Sequence, residues 1–389
     1  MNGIRRVMAS AILLCVAGQA WAANADVEAF NAAVARGDLG AATDAAVAAW
    51  PTVAGDAVNA PRLAREFGFA AYRAGRMEVA QRFAEFLAGP TGEPPTFDDE
   101  PATSRVLVQL IAWKSQPDAG GSTALLDTLD ARVGADATAD AISMQAAREL
   151  LSDAWSRGAW RDADRAAGLL ARLAGRAGAA SLPLRRQAEI RQIAARFMDD
   201  RSVRQSDAMA DLHERIVTDI ERAGDPASRD RLQSVRYQAV AWISAIDAYL
   251  ASDSLPGPNV TRTPADAAQR PPSLPHELRE PRTAGLQGPS IVPVLPRCRG
   301  GMNRVPKLQY PRDERYRGIV GAVVVSVVLD EVGKVQQSRV LASVPGDAFD
   351  SNVLKAVRQW RFVVAEDEDR TRCRVADDAY ILNVIFWLS

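Results

Sequence analysis

Ala322-Val323-Val324-Val325-Ser326-Val327-Val328-Leu329 is followed by Asp330-Glu331-Val332-Gly333-Lys334 and then by the polar-alternating Val335 to Ala342. Two segments rich in β-branched residues, joined by a glycine-containing loop of this length, predict a β-hairpin. Beyond it, Gly346-Asp347 precedes Phe349, Val353, Val357 and Trp360, spaced three and four residues apart as on one face of a helix. Asp347 is the expected N-cap, and Asp350 adds favourable charge to the first turn. Burying those side chains against the hairpin contributes about 6 to 12 kcal/mol as an upper bound. The chain then closes on Tyr380-Ile381-Leu382-Asn383-Val384-Ile385-Phe386-Trp387-Leu388, a third strand. The sum is a ββαβ unit, with its helix on one face of a small sheet and its last strand at the edge.

The same block resembles the carboxy-terminal domain of TonB-type proteins. The resemblance is carried by Tyr310-Pro311 before a short helical turn, Gly318 and Gly321 leading into the first strand, and Asp330 and Gly333 in the hairpin. It continues through Ser343, Asp350 and Ala356, Trp360-Arg361-Phe362, and Phe386 with Leu388. It covers about the last quarter of the chain. It implies a periplasmic domain that takes up a short extended segment of an outer-membrane receptor by adding a strand to its edge, with proton-driven inner-membrane partners supplying the pull. The expected partner-binding residues are Tyr380, Leu382, Val384, Phe386, Trp387 and Leu388. Backbone ladder bonds would give affinity there, and alternate side chains selectivity. The competing reading is that this edge is covered by a second copy of the chain, as a homodimer, or by the chain's own linker, since an open apolar edge invites aggregation.

Upstream, residues 251–297 are crowded with proline, from Pro256 to Pro296, and read as a linker. As polyproline helix it would reach roughly 140 Å, and as a flexible coil roughly 35 to 40 Å. Residues 26–250 are rich in Ala, Leu and Arg and read as helical throughout. A weak repeat runs through them: Gly37-Asp38-Leu39 with Ala42, Gly75-Arg76-Met77 with Ala80, and Gly158-Ala159-Trp160 with Ala163. In tetratricopeptide-like helix pairs such a glycine closes the first helix and the alanine lets the second pack closely. The first two units lie about 38 residues apart against about 34 in that repeat. A degenerate array and an irregular bundle both therefore remain open. Leu232, Val235, Ala239, Trp242, Ile246 and Tyr249 form an apolar stripe, read as core.

Residues 1–22 have Arg5-Arg6, an apolar stretch from Val7 to Val16 and Ala20-Trp21-Ala22, the pattern of a secretory signal peptide. Leu14 before Cys15 argues against lipidation. Removal after Ala22 would leave Cys298 and Cys373, which flank the family-like block at 298–389; in an exported protein such a pair favours a disulfide. The expected location is the periplasm. Retention of the leader would instead anchor the chain in the inner membrane, as force-transducing members of the family are anchored.

The formal net charge is -1 and offers no argument for a nucleic-acid partner. His213 and His276 are far apart and neither has a cysteine at ligand spacing, so no metal or other cofactor is expected. Gly300-Gly301 lacks the pattern of a phosphate loop. The acidic runs Asp98-Asp99-Glu100 and Glu366-Asp367-Glu368-Asp369 read as solvated loops. No acid-base or nucleophilic constellation emerges, which points to a binding protein and not an enzyme. Two functions of different class follow: strand-adding capture of an envelope protein in energy-coupled transport, or a helical-repeat adaptor that the small domain merely docks.

Overall fold

The computed structural model describes residues 25–89, 98–117, 119–135, 139–251, 298–369, 371–375 and 377–386. The expected secretory leader, and the expected linker from residue 252 onward, lie outside them. The layout is α+β, with helices up to Ala251 and a small sheet domain after Cys298. Two compact units divide the chain at 179/180, so the last helices share a unit with the sheet.

The first unit contains α1 (Ala25–Arg36), α2 (Leu39–Val53), α3 (Ala60–Arg73), α4 (Met77–Ala88), α5 (Pro101–Ser115), α6 (Ala119–Gly134), α7 (Ala141–Arg157) and α8 (Trp160–Arg176). The sequence repeat marks the three pairs α1–α2, α3–α4 and α7–α8. In each, a glycine with positive φ ends the first helix: Gly37 at 74°, Gly75 at 75° and Gly158 at 68°. The next amide then reaches back to a carbonyl five residues earlier: Asp38 to Ala33 at 3.0 Å, Arg76 to Ala71 at 2.9 Å and Ala159 to Ala154 at 2.9 Å. This is the Schellman closure, which satisfies carbonyls the helix end leaves open. Ala42, Ala80 and Ala163 are fully buried at the start of the second helices. Rings of Trp50, Phe67, Phe83 and Phe86 meet edge to face in the core of the first two pairs.

Asp98 departs from its expected place in a solvated loop. Its carboxylate is buried and accepts from the buried Arg65 at 2.7 Å, while Asp99 accepts from the same guanidinium at 2.9 Å.

The second unit begins with α9 (Leu182–Asp200), α10 (Arg204–Arg222) and α11 (Pro226–Ala251). The sheet domain follows as β1 (Gly300–Asn303), α12 (Arg312–Tyr316), β2 (Gly321–Leu329), β3 (Val335–Val344), α13 (Asp350–Val357), β4 (Arg361–Val364) and β5 (Asp377–Phe386). The expected ββαβ unit is β2, β3, α13 and β5, with all pairs antiparallel and the order β3-β2-β5. The sequence reading missed β1 and β4, which pair with each other as a separate ribbon, Gly300 opposite Val364 and Asn303 opposite Arg361.

Phe349, Val353, Val357 and Trp360 are all buried against one face of the sheet, together with Val323, Val325, Val327, Leu382, Val384 and Phe386. Asp347 is not the side-chain cap it was expected to be. Phe349 holds the cap position without a side-chain hydrogen bond, and Asp347 contributes its carbonyl to the Asp350 amide at 3.0 Å. Trp360 lies beyond the helix, its indole N–H donating to the Pro306 carbonyl at 3.0 Å.

The other face of the sheet carries a layer the sequence reading did not foresee. Helix α11 packs on β2, β3 and β5 as well as on α9 and α10. Its stripe at Leu232, Val235, Ala239, Trp242 and Ile246 is buried, as expected for core, while Tyr249 at its end is half-buried. A second stripe, at Tyr237, Val240, Ala241, Ser244 and Ala248, is buried too. That second cover explains why β2 is apolar without alternation: a strand buried on both faces has no polar side to show.

Candidate functional site

The last strand is where sequence placed the partner. In the β3-β2-β5 sheet, β5 has a ladder partner on one side only among the described residues. Its pairing with β2 runs without a shift from Gly321 opposite Phe386 to Val327 opposite Tyr380. The opposite edge differs, because β3 has two register shifts against β2 and exposes Gln336, Gln337 and Arg339. Irregular pairing and outward charge are the usual means of blunting an edge. The regular edge is β5.

Of the expected binding residues, Leu382, Val384 and Phe386 are 2%, 0% and 3% exposed. Their side chains point into the core beneath α13, and the half-buried Tyr380 packs against the same cluster. Phe386 stacks against Phe349 with ring centroids 4.5 Å apart and meets Tyr310 at 5.6 Å, and Tyr380 meets Phe362 at 5.2 Å. Trp387 and Leu388 lie outside the described residues. What β5 offers is therefore main chain: alternate residues of an edge strand turn N–H and C=O away from their one neighbour. The side chains of Leu382, Val384 and Phe386 fix the strand and do not extend from it.

The ground beneath β5 is tied down from several directions. Cys298 and Cys373 form the expected disulfide, Cα atoms 4.8 Å apart, and the Cys298 amide donates to the Arg374 carbonyl at 3.0 Å. Arg299 pairs with Glu368 at 2.5 Å and Asp367 at 3.0 Å, so part of the second acidic run clamps the segment next to the disulfide. These ties hold the start of the domain beside the residues that lead into β5. At the other end of the strand, Tyr310 donates its hydroxyl to the Ile319 carbonyl at 2.5 Å, and burial pushes that phenol up to about 12.

Two further residues bear on β5 and were missed. Asn383 donates its side-chain amide to the Ser244 hydroxyl on α11, and both are buried. The only signal in the sequence is a lone polar residue in each of two apolar runs, Ala241-Trp242-Ile243-Ser244 and Ile381-Leu382-Asn383-Val384. Among the described residues no group of three or more His, Cys, Asp and Glu is placed to hold a metal, and no helix is long and apolar enough to cross a membrane.

Residues 306–377 match the family described as Gram-negative bacterial TonB protein C-terminal. The match ends at the first residue of β5, so the edge is located by geometry. The chain is similar to Protein TonB of Vibrio cholerae, 32% identical over 88 residues that cover 23% of this chain and 36% of that protein. It is also similar to Protein TonB of Pseudomonas aeruginosa, 35% identical over 86 residues that cover 20% of this chain and 24% of that one. The matched stretch thus spans about a third of the length of the first relative and about a quarter of the second. No solved structure matches. Residues 306–377 are a domain of the TonB carboxy-terminal family.

Proposed function

We propose that the protein works in the periplasm and binds an extended segment of an outer-membrane receptor or other envelope protein, which joins the sheet as a strand outside β5. The observation that carries this reading is the contrast between the two edges: β5 pairs with β2 in regular register from Tyr380 to Phe386, has its one shift at the Asp377 end, and lacks an outer neighbour among the described residues, whereas β3 is shifted twice and exposes Arg339. Main-chain bonds supply the affinity, because Leu382, Val384 and Phe386 are already committed to the core. The role is binding and not catalysis, in keeping with the family of the domain. The leader-like pattern of residues 1–22 and the disulfide support the location, and the TonB relatives support a place in energy-coupled transport.

The test is chemical. An extended peptide selected by display on the full-length chain is N-methylated one residue at a time. Strand addition predicts that binding is lost at every second position, where the amide enters the ladder, and kept between them. Tolerance at every position would refute it.

A second reading rests on the helix pairs α1–α2, α3–α4 and α7–α8, which share one closing turn. Repetition of a single supersecondary unit builds extended binding surfaces, so the helical unit would be the adaptor surface and the sheet domain its dock. Peptide binding that survives substitutions in β5 and fails on substitutions in α1–α8 would favour it.

A further inference from the structure

Helix α11 is held on two sides. One stripe belongs to the bundle with α9 and α10, and the stripe centred on Ser244 lies on the sheet. The contact at its centre is polar: Asn383, in the middle of β5, gives its amide to Ser244, and both residues are more than nine-tenths buried. The Asn383 carbonyl oxygen Oδ1 has no hydrogen-bond partner among the described residues. A buried asparagine holding a single bond is sensitive to its loss, since removing the hydroxyl leaves the whole side-chain amide unpaired. β5 is also an edge strand, with a ladder on one side only among the described residues.

We propose that α11 is a working part of the capture site, with Ser244 a positioning residue that seats β5 through Asn383, so that occupancy of the β5 edge by an extended peptide and the seating of α9–α11 are coupled. This rests on the strand-addition reading and adds to it a route from the edge into the helices. An incoming strand pays the entropy of ordering whatever part of the edge is frayed. A strand seated in advance by Ser244 offers its ladder already formed. By reciprocity, a strand bound at the edge tightens α11 as much as α11 tightens the edge.

Hydrogen exchange on the full-length chain tests this in two arms. In the first, without peptide, Ser244→Ala speeds exchange of the β5 amides at 380–386 by roughly tenfold to a hundredfold while the β3 amides at 336–343 keep their protection. The double variant Ser244→Ala with Asn383→Val, which replaces both polar partners by apolar groups, restores β5 to near its original rate. Unchanged β5 exchange in Ser244→Ala, equal acceleration of β3 and β5, or failure of the double variant to restore β5 would each overturn the role of Ser244. In the second arm a display-selected extended peptide slows exchange at 237–248 on α11 as well as on β5. Protection of β5 with no change on α11 would overturn the coupling and leave capture standing. No protection of β5 by any selected peptide would overturn capture and, with it, the coupling; the first arm still decides the Ser244 contact.

Discussion

Gly321 lies under the ring of Phe349: a Cβ built on it would stand 2.2 Å from Phe349 Cε2 and 2.8 Å from the Val344 carbonyl. The first residue of β2 is thus the point where α13 comes down on the sheet, and its lack of a side chain sets how close the helix can lie. Gly321→Ala forces Phe349 out of its place beside Phe386 and is expected to cost about 1 to 3 kcal/mol, as overpacking does. Chemical denaturation of the sheet-containing unit measures it.

The helix-pair turns give a test with two signs. Gly75 has φ 75° and nothing within 4 Å of a would-be Cβ, so Gly75→Ala meets backbone strain alone and should destabilise the first unit by about 1 to 2 kcal/mol. Gly134, in α6, is equally uncrowded but has no positive φ. There, at the last residue of the helix, Gly134→Ala should stabilise the same unit by about 0.4 to 1 kcal/mol, chiefly by narrowing the unfolded ensemble. Thermal unfolding of the two variants beside the parent checks both signs.

His213 predicts a response to acid. It is buried on α10 and accepts a hydrogen bond from Arg236 Nε at 3.3 Å. Burial, then the Arg236 charge, lower its pKa from 6.5, and Glu214 offsets only part of this. The folded state resists the proton more than the unfolded chain does. Its contribution is therefore fully present above pH 6.5 and is lost as pH falls toward the folded value. The melting temperature of the second unit should drop over that range, and His213→Gln should flatten the dependence.

The disulfide closes a separation of 75 residues. Replacing both Cys298 and Cys373 by serine should lower the stability of the sheet domain by about 4 to 5 kcal/mol on the chain-entropy account. Reductant added to the parent should reproduce the loss in a denaturant titration, and should not affect the variant.

What sequence disclosed was local. The hairpin, the stripe from Phe349 to Trp360 and the glycine turns at 37, 75 and 158 each depend on residues a few positions apart, and periodicity and turn chemistry report on those. The ribbon strands escaped notice because Gly300-Gly301-Met302-Asn303 has little β preference, and Arg361 to Val364 is too short to show alternation. The second stripe of α11 escaped for another reason. Tyr237, Val240, Ala241 and Ser244 have meaning only once the sheet is known to lie against them, and Asn383 is 139 residues from its partner Ser244. The buried Asp98 is similar: its partner Arg65 gives no mark in sequence. The expected binding residues fall on the edge strand β5, but the alternation that picked Leu382, Val384 and Phe386 also picks core. It says nothing of which face is covered.

The central claim is that the main chain of β5 receives a partner strand. Amide-resolved NMR of the full-length chain, titrated with a display-selected extended peptide, tests it most directly. The account predicts that alternate amides between 377 and 386 become protected and shift, while the amides of β3 and of α1–α8 stay as they were. Protection that appears along β3 or within the first unit, with β5 unchanged, would contradict it.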